Sequence, residues 1–123
     1  MSTPPPRPYS HWLRAGDFVV ISGQLGFHTE NGVTKMADGG TAGQLKQALV
    51  NASHALGEAG ATMSQVVKAT LFILDMKDFA ACNEVWLAAF TTQPLPTRTA
   101  VAVAALPLGA HAEVELWAYS PKS

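Results

Sequence analysis

Residues 96–107, Pro-Thr-Arg-Thr-Ala-Val-Ala-Val-Ala-Ala-Leu-Pro, restrict the possible folds of this chain more than any other stretch. From Ala100 the run is apolar at odd and even positions alike, carries β-branched valines and stops at a proline. Such a pattern predicts a strand covered on both faces. Residues 66–74 (VVKATLFIL) also place apolar side chains at odd and even positions. Arg98 breaks the pattern. A charge where a packed strand begins needs a partner, either a carboxylate of the protein or an anion from outside.

The remaining elements follow in order. Residues 1–8 include three consecutive prolines and predict an extended arm. Asp17–Ser22 reads as the first strand, and Phe27–Met36 as a hairpin turning at Asn31-Gly32. Thr41 and Gln44 fit a capping box, and Leu45, Ala48, Leu49, Ala52, Leu56 and Ala59 then recur at helical spacing up to the stop at Gly60. After the strand at 66–74, Asp75 or Asp78 caps a second helix whose stripe is Phe79, Cys82, Trp86, Ala89 and Phe90. The Arg98 strand, a turn at Pro107–Gly109 and a last strand over Ala112–Tyr119 complete a β-β-α-β-α-β-β order. Two helices cover only one face of such a sheet. In the last strand Val114, Leu116 and Ala118 alternate with Glu113, Glu115 and Trp117, so the first set faces the helices. The other face must pack on something the chain does not supply; another copy of the chain is the inferred partner.

The composition agrees. The 123 residues suit one domain, 1–123, and are 48% hydrophobic but only 14% charged, which favours self-association. A formal net charge of -1 without a Lys/Arg run argues against nucleic-acid binding. The single cysteine, Cys82, excludes an internal disulfide and fits a reducing compartment. The opening MSTPPPRPYSHW lacks the apolar core of a signal peptide, and no stretch is long and apolar enough to span a membrane, so a cytoplasmic protein is expected.

Few residues carry chemistry. Arg98 and Glu113 lie on consecutive segments and would meet in a hairpin. They form either a structural ion pair or a site where the guanidinium grips a carboxylate and Glu113 positions water. Glu115 reads as solvated. Tyr9 either lines a pocket or pins the arm, and Asn83 either orients a ligand or caps local structure. His11, His28, His54 and His111 show no metal-ligand spacing, so no metal site is expected. Cys82 falls on the apolar stripe of the second helix and reads as a buried, inert thiol.

Several segments together resemble the RidA/YjgF family of reactive-intermediate deaminases: Pro8-Tyr9-Ser10, Ala15–Gln24, Gln47–Asn51, Ala59-Gly60-Ala61, Val66–Thr70, Asp75–Ala80 with Asn83-Glu84, Pro96-Thr97-Arg98-Thr99, Leu106-Pro107 and Glu113-Val114-Glu115. They keep the family's order over about residues 8–118. The resemblance implies a chorismate-mutase-like α+β subunit, a mixed sheet with two helices on one face, and a homotrimer with the sheets forming a central barrel. It implies pockets between subunits, no cofactor, and hydrolysis of 2-imino or enamino acids to 2-oxo acids and ammonia. By the same resemblance Arg98 binds the substrate carboxylate, Glu113 positions water, and Tyr9, Gly23 and Asn83 line the pocket. The chain departs from the family at Ala100, where many members have cysteine, and at Arg7, His11 and Trp12. Two rivals share these residues: a non-catalytic trimer that binds small carboxylates, and a deaminase specific to one pathway's enamine. A ribonuclease activity, reported for some relatives, is disfavoured by the absent basic patch.

Overall fold

The computed structural model describes residues 7–122, so most of the expected N-terminal arm, residues 1–6, lies outside the described residues. Nine regular elements follow: β1 (Trp12–Ala15), β2 (Phe18–Leu25), β3 (Phe27–Glu30), β4 (Val33–Met36), α1 (Gly40–Glu58), β5 (Val66–Ile73), α2 (Phe79–Ala89), β6 (Thr97–Ala102) and β7 (Ala112–Tyr119). Five strands form one mixed sheet in the order β1-β2-β7-β5-β6, and β3-β4 pair separately. Only β5 and β6 run parallel, through the crossover that α2 supplies. The fold is the α+β, chorismate-mutase-like class expected.

The strand count before α1 differs from the expected order. Four strands stand there: the hairpin contributes β3 and β4, and Trp12–Ala15 adds one more by pairing with Phe18–Ile21 across a tight turn at Gly16, whose φ is 59°. Asn31 and Gly32 both take positive φ and close the β3-β4 hairpin, as the Asn-Gly pair predicts.

The core lies between the sheet and the helices. Leu45, Ala48, Ala52 and Leu56 of α1 are fully buried against Val19 and Ile21 of β2, Leu71 and Ile73 of β5, and Val114 and Leu116 of β7. Cys82 and Trp86 of α2 and Phe90 at its C-cap extend this core, and Cys82 is a buried free thiol, as its stripe position implied.

The expected capping box at α1 does not form. Gly39, at φ 103°, is the N-cap; the Thr41 hydroxyl instead donates to Asp78 Oδ2 at 2.9 Å, and Gln44 Oε1 accepts the His111 N–H at 2.8 Å. Tertiary partners outcompete the local cap because Thr41 and Gln44 face the core side of the helix. The strand after Pro96 is also shorter than expected. It ends at Ala102, and Val103 makes one more bond to Ile73 O before the chain leaves the sheet. β6 is an edge strand, and Thr97, Thr99 and Val101 are exposed, so the run is not covered on both faces within one chain. Among the described residues no helix is long and apolar enough to cross a membrane.

Candidate active site

Strand register decides where the charged residues go. Partners in a ladder point to the same side of the sheet. Arg98 pairs with Ala69, and Ala69 with Leu116, which is core. Arg98 therefore leans to the helix side at the sheet edge, under α2. Glu113 pairs with Phe72, and Phe72 with Val101, so Glu113 stands on the open side with Glu115 and Trp117. The expected hairpin between the Arg98 and Glu113 segments does not exist: β5 runs between β6 and β7. Arg98 and Glu113 are on opposite faces and do not form an ion pair.

The helix-side half is built around Arg98. Its guanidinium carbon sits 5.0 Å from the Trp86 ring centroid and 5.3 Å from that of Phe79. No carboxylate among the described residues lies within 4.0 Å of it. The strand start is pinned by the Thr97 hydroxyl, which donates to Val67 O at 3.0 Å. Asn83 is half-buried on α2, four residues after Phe79 and three before Trp86, so it shares their side of the helix. Burial pushes the Cys82 thiol pKa up, Asp78 adds to the effect and Arg98 opposes it. A thiol held protonated is a poor nucleophile.

The open-face half is built around Glu113. Opposite Glu115, β2 carries a bulge in which Ser22 and Gly23 face one β7 residue. The Glu113 carboxylate lies across this bulge: a Cβ on Gly23 would stand 2.7 Å from Glu113 Oε2. Only glycine leaves the carboxylate that space. Burial raises the Glu113 pKa above the usual carboxylate value, and neighbouring Glu115 raises it further. The Ser22 hydroxyl donates to Ser10 O at 2.6 Å, and Ser22 N–H to His11 O at 3.0 Å. These bonds moor the Tyr9 segment one residue from Gly23, with the Tyr9 side chain exposed.

Of the five residues expected at the site, Glu113 and Gly23 touch, Tyr9 is tethered nearby, and Arg98 and Asn83 belong to the other half. Surface clefts among the described residues include one of about 500 Å³ between α1 and α2, one of about 460 Å³ near Thr62 and Pro94, and one of about 310 Å³ lined by His11, His28 and His54. Neither Arg98 nor Glu113 lines any of them. The described residues hold no group of His, Cys, Asp and Glu arranged to bind a metal. Phe79 and Trp86, read from the sequence only as core, are neighbours of the key cation. Spacing alone could not reveal this, because it depends on β6 lying parallel to β5 beneath α2.

The family model described as "Endoribonuclease L-PSP" matches residues 2–120. The chain belongs to the RidA/YjgF family. Among its relatives, the goat (Capra hircus) protein named 2-iminobutanoate/2-iminopropanoate deaminase is 40% identical over 108 residues, 88% of this chain and 77% of that protein. The crystal structure of RidA from the Antarctic bacterium Psychrobacter superposes with a TM-score of 0.83 at 38% identity, covering 92% of this chain and 89% of that one. A YjgF-family member from Mycobacterium tuberculosis gives a TM-score of 0.77 at 33% identity, with 90% and 86% covered. The relatives' names support reactive-intermediate deaminase activity in this RidA/YjgF family.

Proposed function

We propose that this chain hydrolyses 2-imino acids to 2-oxo acids and ammonia, and that each active site joins Arg98 and Asn83 of one copy to Gly23, Glu113 and Tyr9 of another within a homotrimer. One observation carries the reading: a guanidinium with no carboxylate partner among the described residues and a carboxylate with a raised pKa lie on opposite sides of one sheet. Two copies can bring them together; one copy cannot. The open face, which presents Phe18, Trp117 and Tyr119 to solvent in the single chain, supplies apolar surface for that association. Its one buried thiol is compatible with the reducing cytoplasm.

The chemistry asks little of the protein. The protonated imine is already electrophilic at C2. Arg98 takes the carboxylate and fixes C2 in place. Glu113 accepts a proton from the attacking water, the C2–O bond forms, and the imine π bond moves to nitrogen. Glu113 then returns the proton to the amine. The C–N bond breaks and ammonia leaves; the hydroxyl gives its proton to Glu113 as its oxygen becomes the new carbonyl, and Glu113 passes that proton to the departing ammonia. The raised Glu113 pKa makes the carboxylate a stronger base than an ordinary one, which favours its taking the proton from water. Tyr9, Gly23 and Asn83 line the pocket. Ala100 leaves hydrolysis by water untouched, since no covalent nucleophile is used.

The test uses freshly generated 2-iminobutanoate, scored against its uncatalysed hydrolysis. The parent protein should accelerate 2-oxobutanoate formation, and Arg98→Ala should lose about 30-fold or more in kcat/KM, as expected for a charged contact to a desolvated anion. Sedimentation should give three times the chain mass for both. A monomer, or an Arg98→Ala variant as fast as its parent, would sink the proposal. Saturable 2-oxobutanoate binding without acceleration would favour the carboxylate-binding rival.

A further inference from the structure

We propose that Phe79 and Trp86 are positioning residues, whose rings hold the Arg98 guanidinium while leaving its N–H donors free for a substrate carboxylate. This rests on the assignment of Arg98 as the carboxylate holder. The two residues are seven apart on α2, two turns, and so project from one side of the helix. Both ring centroids come within 5.3 Å of the Arg98 guanidinium carbon. Trp86 is itself fixed: it is buried and packs against Phe90, with ring centroids 4.7 Å apart and the planes tilted by 38°. Asp78, the acid at the start of α2, takes the Thr41 hydroxyl on Oδ2 and makes no ion pair with Arg98.

The choice of rings over a carboxylate has a chemical consequence. An aromatic face attracts a cation through its quadrupole but accepts no strong hydrogen bond. A guanidinium directs its five N–H groups in its own plane, as a fork suited to a carboxylate. A protein carboxylate near Arg98 would occupy that fork and compete with substrate. The rings restrain the charge, exclude water from part of it and leave the fork open. They also limit the side chain's motion before ligand arrives, which lowers the ordering cost of binding.

The test compares the parent, Arg98→Met, Phe79→Leu, Trp86→Leu and Trp86→Phe as full chains. Each is titrated with 2-oxobutanoate by calorimetry and assayed with 2-iminobutanoate. Phe79→Leu and Trp86→Leu should each weaken 2-oxobutanoate binding by about 2- to 30-fold, the range of a cation–π contact, and raise KM more than they lower kcat. Trp86→Phe, which keeps a ring, should recover most of the loss. Equal losses in Trp86→Leu and Trp86→Phe would assign Trp86 to packing and overturn its part of the proposal. Parent-like binding by Phe79→Leu and Trp86→Leu, with binding lost in Arg98→Met, would overturn the aromatic role and leave the deaminase assignment standing. A parent protein that neither binds 2-oxobutanoate nor hydrolyses the imine would overturn both. If Trp86→Leu does not fold, the partly exposed Phe79→Leu decides alone.

Discussion

The two halves of the candidate site keep their charges ready by different means. On the helix side, Arg98 rests against two aromatic rings, with no carboxylate of the described residues within 4.0 Å. On the open side, Glu113 is crowded onto a glycine bulge beside a second acid, and burial makes its ionised form costly. The cation is held by groups that accept almost nothing from it. The anion is held where shedding its charge is easier than usual. A group meant only for stability would be paired. Among the described residues neither has an ion-pair partner, and the sheet keeps them from pairing with each other.

The contrast can be broken experimentally, beginning with its chemistry. Glu113→Gln removes the base and keeps the shape, and should lower kcat by about 100- to 10,000-fold while changing 2-oxobutanoate affinity little. An unchanged kcat would move the water-activating role elsewhere. The arrangement across copies comes next. Inactive Arg98→Ala and Glu113→Gln chains, unfolded together and refolded at equal amounts, should recover about one quarter of parental activity, since random assembly gives that share of sites an intact residue from each copy. No recovery would place both residues of a working site in one chain.

Gly23→Ala probes the bulge. Its Cβ would need space now held by Glu113 Oε2, so the carboxylate must swing away, and activity should fall on the order of 10- to 100-fold with little change in melting temperature. Parental activity in Gly23→Ala would show that the carboxylate's placement on the bulge is immaterial. The smallest effect concerns pH. Because the folded pKa of Glu113 is raised, its contribution to stability is fully present below the ordinary carboxylate pKa and lost as pH rises through the raised value. Glu113→Gln should therefore flatten the fall in melting temperature across that window, and identical pH profiles would contradict the assigned environment.

Much of the scaffold was legible along the chain because it rests on short-range patterns. The helical spacing of Leu45 through Leu56, the Asn31-Gly32 turn and the alternation of Val114 and Leu116 with the two glutamates each reappear as expected. Elements whose character depends on distant partners were not legible. Thr41 and Gln44 look like a cap, yet they bond to Asp78 and to the backbone at His111. The Trp12–Ala15 strand is too short for its own pattern to announce it, and exists because β2 is beside it.

The candidate site divides along the same line. Residue chemistry pointed to Arg98 as a charge needing a partner, and resemblance pointed to Glu113, Gly23, Tyr9 and Asn83. Sequence proximity suggested a hairpin between the Arg98 and Glu113 segments. Strand order removed it, because hydrogen-bonded pairing inserts β5 between them and ladder register turns their side chains to opposite faces. Periodicity along a chain can establish which residues share a face of one element. Which elements become neighbours, and on which side of a sheet a charge emerges, is fixed only when the strands pair.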